Sequence, residues 1–261
     1  MPQLGFGVWQ VPDAEATPAV SEAIKAGYRS IDTAAIYGNE SGVGAALGMV
    51  DRDELFITTK LWNADQGYDP TLRAFDESMN KLGLDVLDLY LIHWPTPARE
   101  LYVDTWKAFV ELQKEGRVRA IGVSNFQPAH LRRLIDETGV VPAVNQVELH
   151  PYLQQSELRA FHAEHGVQTE AWSPLGQGGE LLSDPVVTEI AARHHRSAAQ
   201  IVLRWHLQLG NVVIPKSVTS ARIRENIAVF DFELSEDELA ALSTLDRGGR
   251  IGPNPDEFNQ A

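Results

Sequence analysis

The chain has 261 residues, 44% of them hydrophobic, which suits one domain, residues 1–261, with a sizeable core. Its 22 basic and 36 acidic side chains leave a net charge of −14, which repels nucleic acid and anionic lipid and excludes them as expected partners. Without cysteine, and without the about 18 unbroken apolar residues of a membrane helix, we expect a cytoplasmic protein with neither a metal nor a membrane span.

Short apolar runs rich in β-branched residues alternate along the chain with longer segments of helical periodicity. We predict strands at residues 4–8, 28–32, 56–60, 87–92, 120–124, 143–148, 168–172 and 212–215. We predict one helix after each strand, at residues 17–26, 41–47, 70–82, 105–114, 128–137, 156–165, 198–209 and 221–229. A further helix is predicted at 235–245, with Ser235 and Glu238 as its capping box.

This alternation decides the fold class. Apolar strands that alternate with helices are typical of a parallel sheet buried on both faces. Eight such units in about 250 residues predict a single-domain α/β fold, the (β/α)8 or TIM barrel. The main alternative is an open, doubly wound sheet, which would usually carry a glycine-rich turn and a helix after its first strand. The segment Gly5-Phe6-Gly7 lacks the third glycine and opens no helix, so we prefer the barrel.

Polar side chains end most of the predicted strands. In a barrel the carboxyl ends of the strands form one rim, where catalytic residues lie. Unpaired buried polar groups cost about 1–3 kcal/mol each, so their convergence on one rim argues for a site. The residues are Asp32 with Tyr37 in the next loop, Lys60, His93, Ser124 with Asn125, Gln146 with Glu148, Glu170 with Trp172, and Lys216 with Ser217.

Four of these residues form a set suited to proton donation: Asp32, Tyr37, Lys60 and His93. Lys60 beside Asp32 is a natural ion pair, and its ammonium group is expected to lower the pKa of the Tyr37 phenol. Such a phenol can give its proton to an alkoxide that forms from a carbonyl, while a neutral His93 would hydrogen-bond the same oxygen. The set lacks a hydride source, which a cofactor must supply.

Six motifs resemble, in the same order, those of the aldo-keto reductases. They are residues 28–40 (YRSIDTAAIYGNE), 55–62 (LFITTKLW), 88–95 (DLYLIHWP), 121–126 (IGVSNF), 144–151 (VNQVELHP), and 214–219 (IPKSVT) with Arg222, Glu225 and Asn226. Residues 171–178 (AWSPLGQG) and 229–232 (VFDF) resemble the prokaryotic 2,5-diketo-D-gluconate reductase branch of that family. The resemblance spans nearly the whole chain.

The resemblance implies a monomeric enzyme that reduces aldehydes and ketones, such as small dicarbonyls and keto sugars, with hydride from NADPH and a proton from Tyr37. Ser124, Asn125 and Gln146 are then expected to bind the nicotinamide carboxamide, and Trp172 to stack on its ring. Lys216, Ser217 and Arg222 are expected to hold the 2′-phosphate, which favours NADPH over NADH. The adenine is assigned to Glu225 and Asn226, and the cofactor site is completed by Ser173, Leu175, Val218 and Thr219.

The resemblance also implies a substrate pocket, and the chain departs from the family pattern in two places. One is residues 44–51, which are a few residues shorter than the usual helix and loop before the third strand, and the other is the N-terminus. Trp9, Trp62, Trp94 and Phe126 are expected to wall the pocket, and residues 96–103 to shape its specificity. Family members begin with a β-hairpin under the barrel, whereas this chain starts (MPQLG) almost directly on the first strand. We therefore expect no N-terminal hairpin and an exposed apolar barrel floor.

Two other functions are compatible with the sequence. Glu148 and Glu170 end neighbouring strands, and a pair of carboxylates in a barrel can hydrolyse glycosides. Glu148 can equally be a buried partner of backbone amides. The same fold can also bind NADPH as a sensor with little catalysis, although the presence of all four catalytic positions argues against that role.

Overall fold

The protein folds into a closed barrel of eight parallel strands in a computed structural model that describes residues 1–261. The strands, which lie side by side in chain order, are β1 (Phe6–Gly7), β2 (Ser30–Asp32), β3 (Phe56–Leu61), β4 (Leu87–Ile92), β5 (Val118–Ser124), β6 (Val144–Glu148), β7 (Gln168–Trp172) and β8 (Val212–Val213). Bridges from Leu4 to Val213 and from Gly7 to Lys216 join β8 to β1 and close the sheet. The predicted TIM barrel is therefore confirmed.

Ten α-helices surround the sheet. They are α1 (Asp13–Ala26), α2 (Glu40–Ala46), α3 (Tyr68–Leu82), α4 (Tyr102–Lys114), α5 (Pro128–Thr138), α6 (Ser156–His165), α7 (Pro185–His194), α8 (Ala198–Gln208), α9 (Ser220–Ile227) and α10 (Glu236–Ser243). None of them combines the length and the apolar character needed to cross a membrane.

The helix α7 corrects the sequence analysis, which predicted only one helix between β7 and β8. Its start is encoded locally, because the Asp184 carboxylate accepts a hydrogen bond from the Val186 backbone N–H at 2.9 Å and Pro185 occupies the first turn. Its buried face, made by Val187, Ile190 and Ala191, packs into the main core. The long connection after β7 thus contains a helix of its own.

The floor of the barrel, at the amino ends of the strands, is partly open. Residues 1–5, which precede β1, form no hairpin. Leu89, Leu91 and Val144 pack on one another and are buried. A second cavity of about 540 Å³ nevertheless lies at this floor, and its lining includes Phe56, Ala120 and the exposed Ala143. The expectation of an exposed apolar floor is therefore confirmed in part.

Candidate active site

A cavity of about 1240 Å³ lies where the strands end at their carboxyl termini. Asp32, Tyr37 and His93 line it, and Lys60 lies fully buried behind them. Every residue expected to bind the cofactor also lines this cavity, namely Ser124, Asn125, Gln146, Trp172, Ser173, Leu175, Lys216, Ser217, Val218, Thr219, Arg222, Glu225 and Asn226. The structure therefore gathers these positions, which are far apart in sequence, around a single space.

Lys60 and Asp32 form a buried ion pair at the base of the cavity. The Lys60 Nζ donates hydrogen bonds to Asp32 Oδ1 at 2.5 Å and to the Thr33 carbonyl at 2.9 Å. The two residues meet because β2 and β3 are neighbouring strands. Tyr37 follows on a short 3-10 turn, and the Lys60 Nζ lies 5.2 Å from the centroid of its ring. The side chains of the expected proton donor and its cationic partner are thus adjacent.

The pKa of Tyr37 differs from the expectation in direction. Burial raises the pKa of the phenol, and Asp32 raises it further, while Lys60 lowers it without overcoming these effects. Burial also disfavours the charged form of Lys60, but Asp32 and Tyr37 outweigh it and raise the Lys60 pKa. The predicted lowering of the phenol pKa is therefore wrong in this structure. Tyr37 holds its proton at neutral pH beside a charged Lys60.

His93 is neutral, as the sequence analysis expected. Burial and the nearby Lys60 charge place the pKa of its imidazole well below the usual value. Its ring meets those of Tyr37 and Trp62 edge to face, with centroids 5.8 Å and 5.4 Å away. Since Nδ1 is buried without a hydrogen-bond partner, a ligand in the cavity would use Nε2.

Asn125 connects three parts of the rim. Its Nδ2 donates to the His93 carbonyl and to Ser124 Oγ, both at 3.0 Å, and its Oδ1 accepts from Trp172 Nε1 at 2.8 Å. The Ser124 hydroxyl in turn donates to the backbone carbonyl of Gln146 at 2.8 Å. These side chains are already engaged with the protein, so they hold the indole of Trp172 and the strand end of His93 in place.

Phe126 does not wall the cavity, which corrects one of the four expected pocket residues. It is fully buried, and its ring meets those of Tyr102 and His130 at centroid distances of 5.5 Å and 5.9 Å. The preceding residue, Asn125, has a left-handed backbone with φ of 63°, which turns the chain after β5 and sends the next side chain into the core. Trp9, Trp62 and Trp94 do line the cavity.

Two cations that follow β8, one in the next loop and one in α9, are free of acidic partners. Lys216 and Arg222 are exposed, line the cavity and form no ion pair. Thr219 precedes the first turn of α9, whose unpaired N–H groups add positive potential beside them. In a chain with a net charge of −14, this arrangement fits a phosphate group.

The C-terminal segment supplies lining residues that the sequence analysis did not identify. Ile251, Gly252 and Pro253 line the cavity, whereas residues 96–103, expected to shape it, do not. The segment is fixed by Glu148, whose carboxylate accepts from the backbone N–H of Ile251 at 2.6 Å and of Gly252 at 2.8 Å. No motif marked this tail, which is rich in glycine, proline and asparagine.

These contacts also argue against the alternative in which Glu148 and Glu170 hydrolyse glycosides. Glu148 is fully buried and committed to two backbone amides and to His150, so the interpretation as an amide partner is confirmed. Glu170 is 1% exposed and hydrogen-bonds Gln146. Neither carboxylate lines the cavity, so they cannot flank a scissile bond there.

The model of the aldo/keto reductase family matches residues 3–247. The chain belongs to this family. Methylglyoxal reductase DkgA of Salmonella typhimurium is 58% identical over 261 residues, covering 99% of this chain and 94% of that protein. An aldo-keto reductase of Mycobacterium sp. (strain KMS) shows the same identity and coverage. A mutant of Gox0644 solved in complex with NADPH superposes with a TM-score of 0.96 at 56% identity, over 99% of this chain and 94% of that one.

Proposed function

We propose that this protein is an NADPH-dependent reductase that converts aldehydes and ketones to alcohols. One observation carries the proposal: the same cavity is lined by Tyr37 and His93, which suit carbonyl protonation, and by Lys216 and Arg222, two cations without acidic partners. The family membership and the NADPH complex of a relative at 56% identity support it.

The residues of the chain fit NADPH at both chemical ends of that molecule. Lys216 and Arg222 suit a 2′-phosphate, because arginine binds phosphate oxygens through a fork of N–H donors and lysine adds a point charge. Trp172 is partly exposed in the cavity and held by Asn125, so it offers a fixed face for the nicotinamide ring. When bound, NADPH supplies the hydride.

The residues beside the cavity then move the proton. Tyr37 stays protonated at neutral pH, so its hydroxyl can donate to a carbonyl oxygen that gains negative charge. The charged Lys60, held by Asp32, stabilises the phenolate left behind. Neutral His93 orients the carbonyl through Nε2 without competing as an acid. Tyr37 is partly exposed, which allows it to regain a proton from solvent.

We propose small, partly polar carbonyls as the substrates, with α-dicarbonyls such as methylglyoxal first among them. Three indole rings, those of Trp9, Trp62 and Trp94, line the cavity and give it flat, largely apolar walls. Methylglyoxal reductases of two enteric bacteria are 58% and 56% identical to this chain over 99% of its length. Keto sugar acids of the diketogluconate type are the second class to test.

A substrate panel tests this function directly. Purified protein is mixed with methylglyoxal, simple aldehydes and keto sugar acids, each with NADPH and with NADH, and nucleotide oxidation is followed by absorbance. We expect turnover with NADPH and slower turnover with NADH, and turnover at least about 100-fold slower when Tyr37→Phe protein is used. Nucleotide binding without oxidation by any carbonyl would instead support the sensor role. A monomer located in the cytoplasm is also proposed, which light scattering and cell fractionation check.

A further inference from the structure

Glu170 belongs to a buried hydrogen-bonded chain that reaches across the barrel. Gln146 on β6 lies in register with Glu170 on β7, and its Nε2 donates to Glu170 Oε2 at 2.9 Å. The same nitrogen donates to Asp32 Oδ2 on β2 at 2.8 Å. Asp32 Oδ1 accepts from Lys60, so the chain runs from the catalytic ion pair through one amide to a second carboxyl group.

This arrangement fixes which way the Gln146 amide points. An amide carbonyl turned toward the two carboxyl groups would bring acceptors against acceptors, whereas the NH2 group has one hydrogen for each of them. Both hydrogens of the Gln146 NH2 group are therefore engaged by these two carboxyl groups and are not available to a ligand. The Oε1 carbonyl has no donor within the protein, and Gln146 lines the cavity. A free acceptor is thus presented to a ligand.

We propose that Glu170 is a positioning residue for the nicotinamide: together with Asp32 it holds both amide hydrogens of Gln146, so that Oε1 faces the cavity as the acceptor for the carboxamide N–H. This inference rests on the proposed NADPH-dependent function. Asp32 alone anchors one hydrogen and leaves the amide free to turn about that bond. The second anchor removes this freedom before the cofactor arrives, which reduces the entropy cost of binding.

The surroundings of Glu170 argue against a merely structural role. Its side chain is buried at 1% exposure without a cation in hydrogen-bond contact, and Gln146 is its one hydrogen-bond partner. Burial and the Asp32 carboxylate raise the pKa of Glu170 to about 7, while Gln146 and Lys60 act against this. Burying a carboxyl group this deeply lowers the free energy of unfolding, and an apolar residue at this position would not carry that penalty. The cost is explained if the group serves the site.

Binding of two nucleotides to Glu170→Leu and Glu170→Gln tests the proposal. NADPH reaches Gln146, whereas adenosine 2′,5′-bisphosphate lacks the nicotinamide and occupies only the phosphate end. We expect Glu170→Leu to weaken NADPH about tenfold, roughly the loss of one well-placed hydrogen bond, and to leave the bisphosphate affinity unchanged. Glu170→Gln retains a carbonyl oxygen that accepts from Gln146, so it should bind NADPH within about threefold of wild type.

Glu238→Gln is the matched control, since it alters another buried carboxylate, in the capping box of α10, and should change neither affinity. Unchanged NADPH binding by Glu170→Leu would overturn the proposal. So would equal weakening of both nucleotides, which indicates general damage, or a Glu170→Gln protein as impaired as Glu170→Leu. Wild-type protein that binds no NADPH would refute the proposed function itself, and the inference with it.

Discussion

Gly252 lies directly against the indole ring of Trp172. A Cβ added to this glycine would come within 2.6 Å of Trp172 Cη2 and within 3.0 Å of Glu148 Oε2. Glu148 also accepts the Gly252 backbone N–H at 2.8 Å, so the glycine is held on one side and in contact with the ring on the other. The C-terminal segment therefore packs on Trp172, the side chain proposed to stack on the nicotinamide ring.

Gly252→Ala tests the importance of this contact. Either the ring or the tail must move to admit a methyl group, and overpacking of this kind costs about 1–3 kcal/mol. We expect KM for NADPH and for the carbonyl substrate to rise about three- to tenfold, with a lower unfolding temperature. Gly48→Ala is the control, because its Cβ would meet nothing within 4 Å. Kinetics equal to wild type in Gly252→Ala would show that the tail does not position Trp172.

Tyr37→Phe tests the proton donor. The substitution removes the hydroxyl that donates to the alkoxide but leaves the ring against His93 and the loop after β8 untouched. We expect kcat to fall by at least about 100-fold, in the range typical of a lost general acid, while the Kd for NADPH stays within about twofold. Steady-state rates and fluorescence titration measure the two quantities. An active Tyr37→Phe protein would refute the assignment of Tyr37 as the acid.

The barrel and most of the rim could be predicted from the sequence, because both depend on local patterns. All eight predicted strands overlap strands of the sheet, and β4 and β7 have the predicted bounds. The features that could not be predicted depend on how competing effects combine in the folded protein. The pKa of Tyr37 results from burial competing with Lys60, and a list of neighbouring residues does not give the outcome. Phe126 follows a rim residue directly, yet the left-handed φ of Asn125 turns it into the core.

The bond from Gln146 to Asp32 illustrates the same limit in the site itself. The motif of residues 144–151 marked Gln146 as a ligand of the cofactor, but its contact with β2 lies across the barrel, 114 residues away in sequence. No spacing or periodicity encodes such a contact. It arises only when the sheet closes, because closure brings opposite strands to face one shared interior.

Arg222→Ala tests whether Arg222 recognises the 2′-phosphate of NADPH. Arg222 is exposed in α9 without an ion pair, so its loss should leave the fold intact. We expect the Kd for NADPH to rise about 10- to 100-fold and the Kd for NADH to change less than about twofold, since only NADPH carries the extra phosphate. Arg224→Ala on the same helix, where Arg224 pairs with Glu22, should change neither. Equal weakening of both nucleotides would show that Arg222 does not recognise the 2′-phosphate.

Two buried histidines outside the site predict acid sensitivity. Burial lowers the pKa of His162 to about 4 and that of His206 to about 3. His162 Nε2 accepts from Asn145 Nδ2 at 2.9 Å, a bond that needs the neutral ring. In the unfolded chain both histidines titrate near 6.5. Between that pH and their folded-state pKa values, the unfolded state therefore binds more protons than the folded state does. The free energy of unfolding should therefore be highest above about pH 6.5 and should fall as the pH drops toward about 4.

Urea unfolding at a series of pH values measures this loss. Each of the two histidines contributes a slope of up to about 1.4 kcal/mol per pH unit between its two pKa values. His162→Gln removes one titrating group, so its free energy of unfolding should start lower at neutral pH but decline less steeply below pH 6.5. His195→Asn, a change at an exposed histidine at the end of α7, should follow the wild-type curve. If His162→Gln and wild type lose stability with the same slope, protonation of His162 is not the cause, and the buried carboxyl groups must be examined instead.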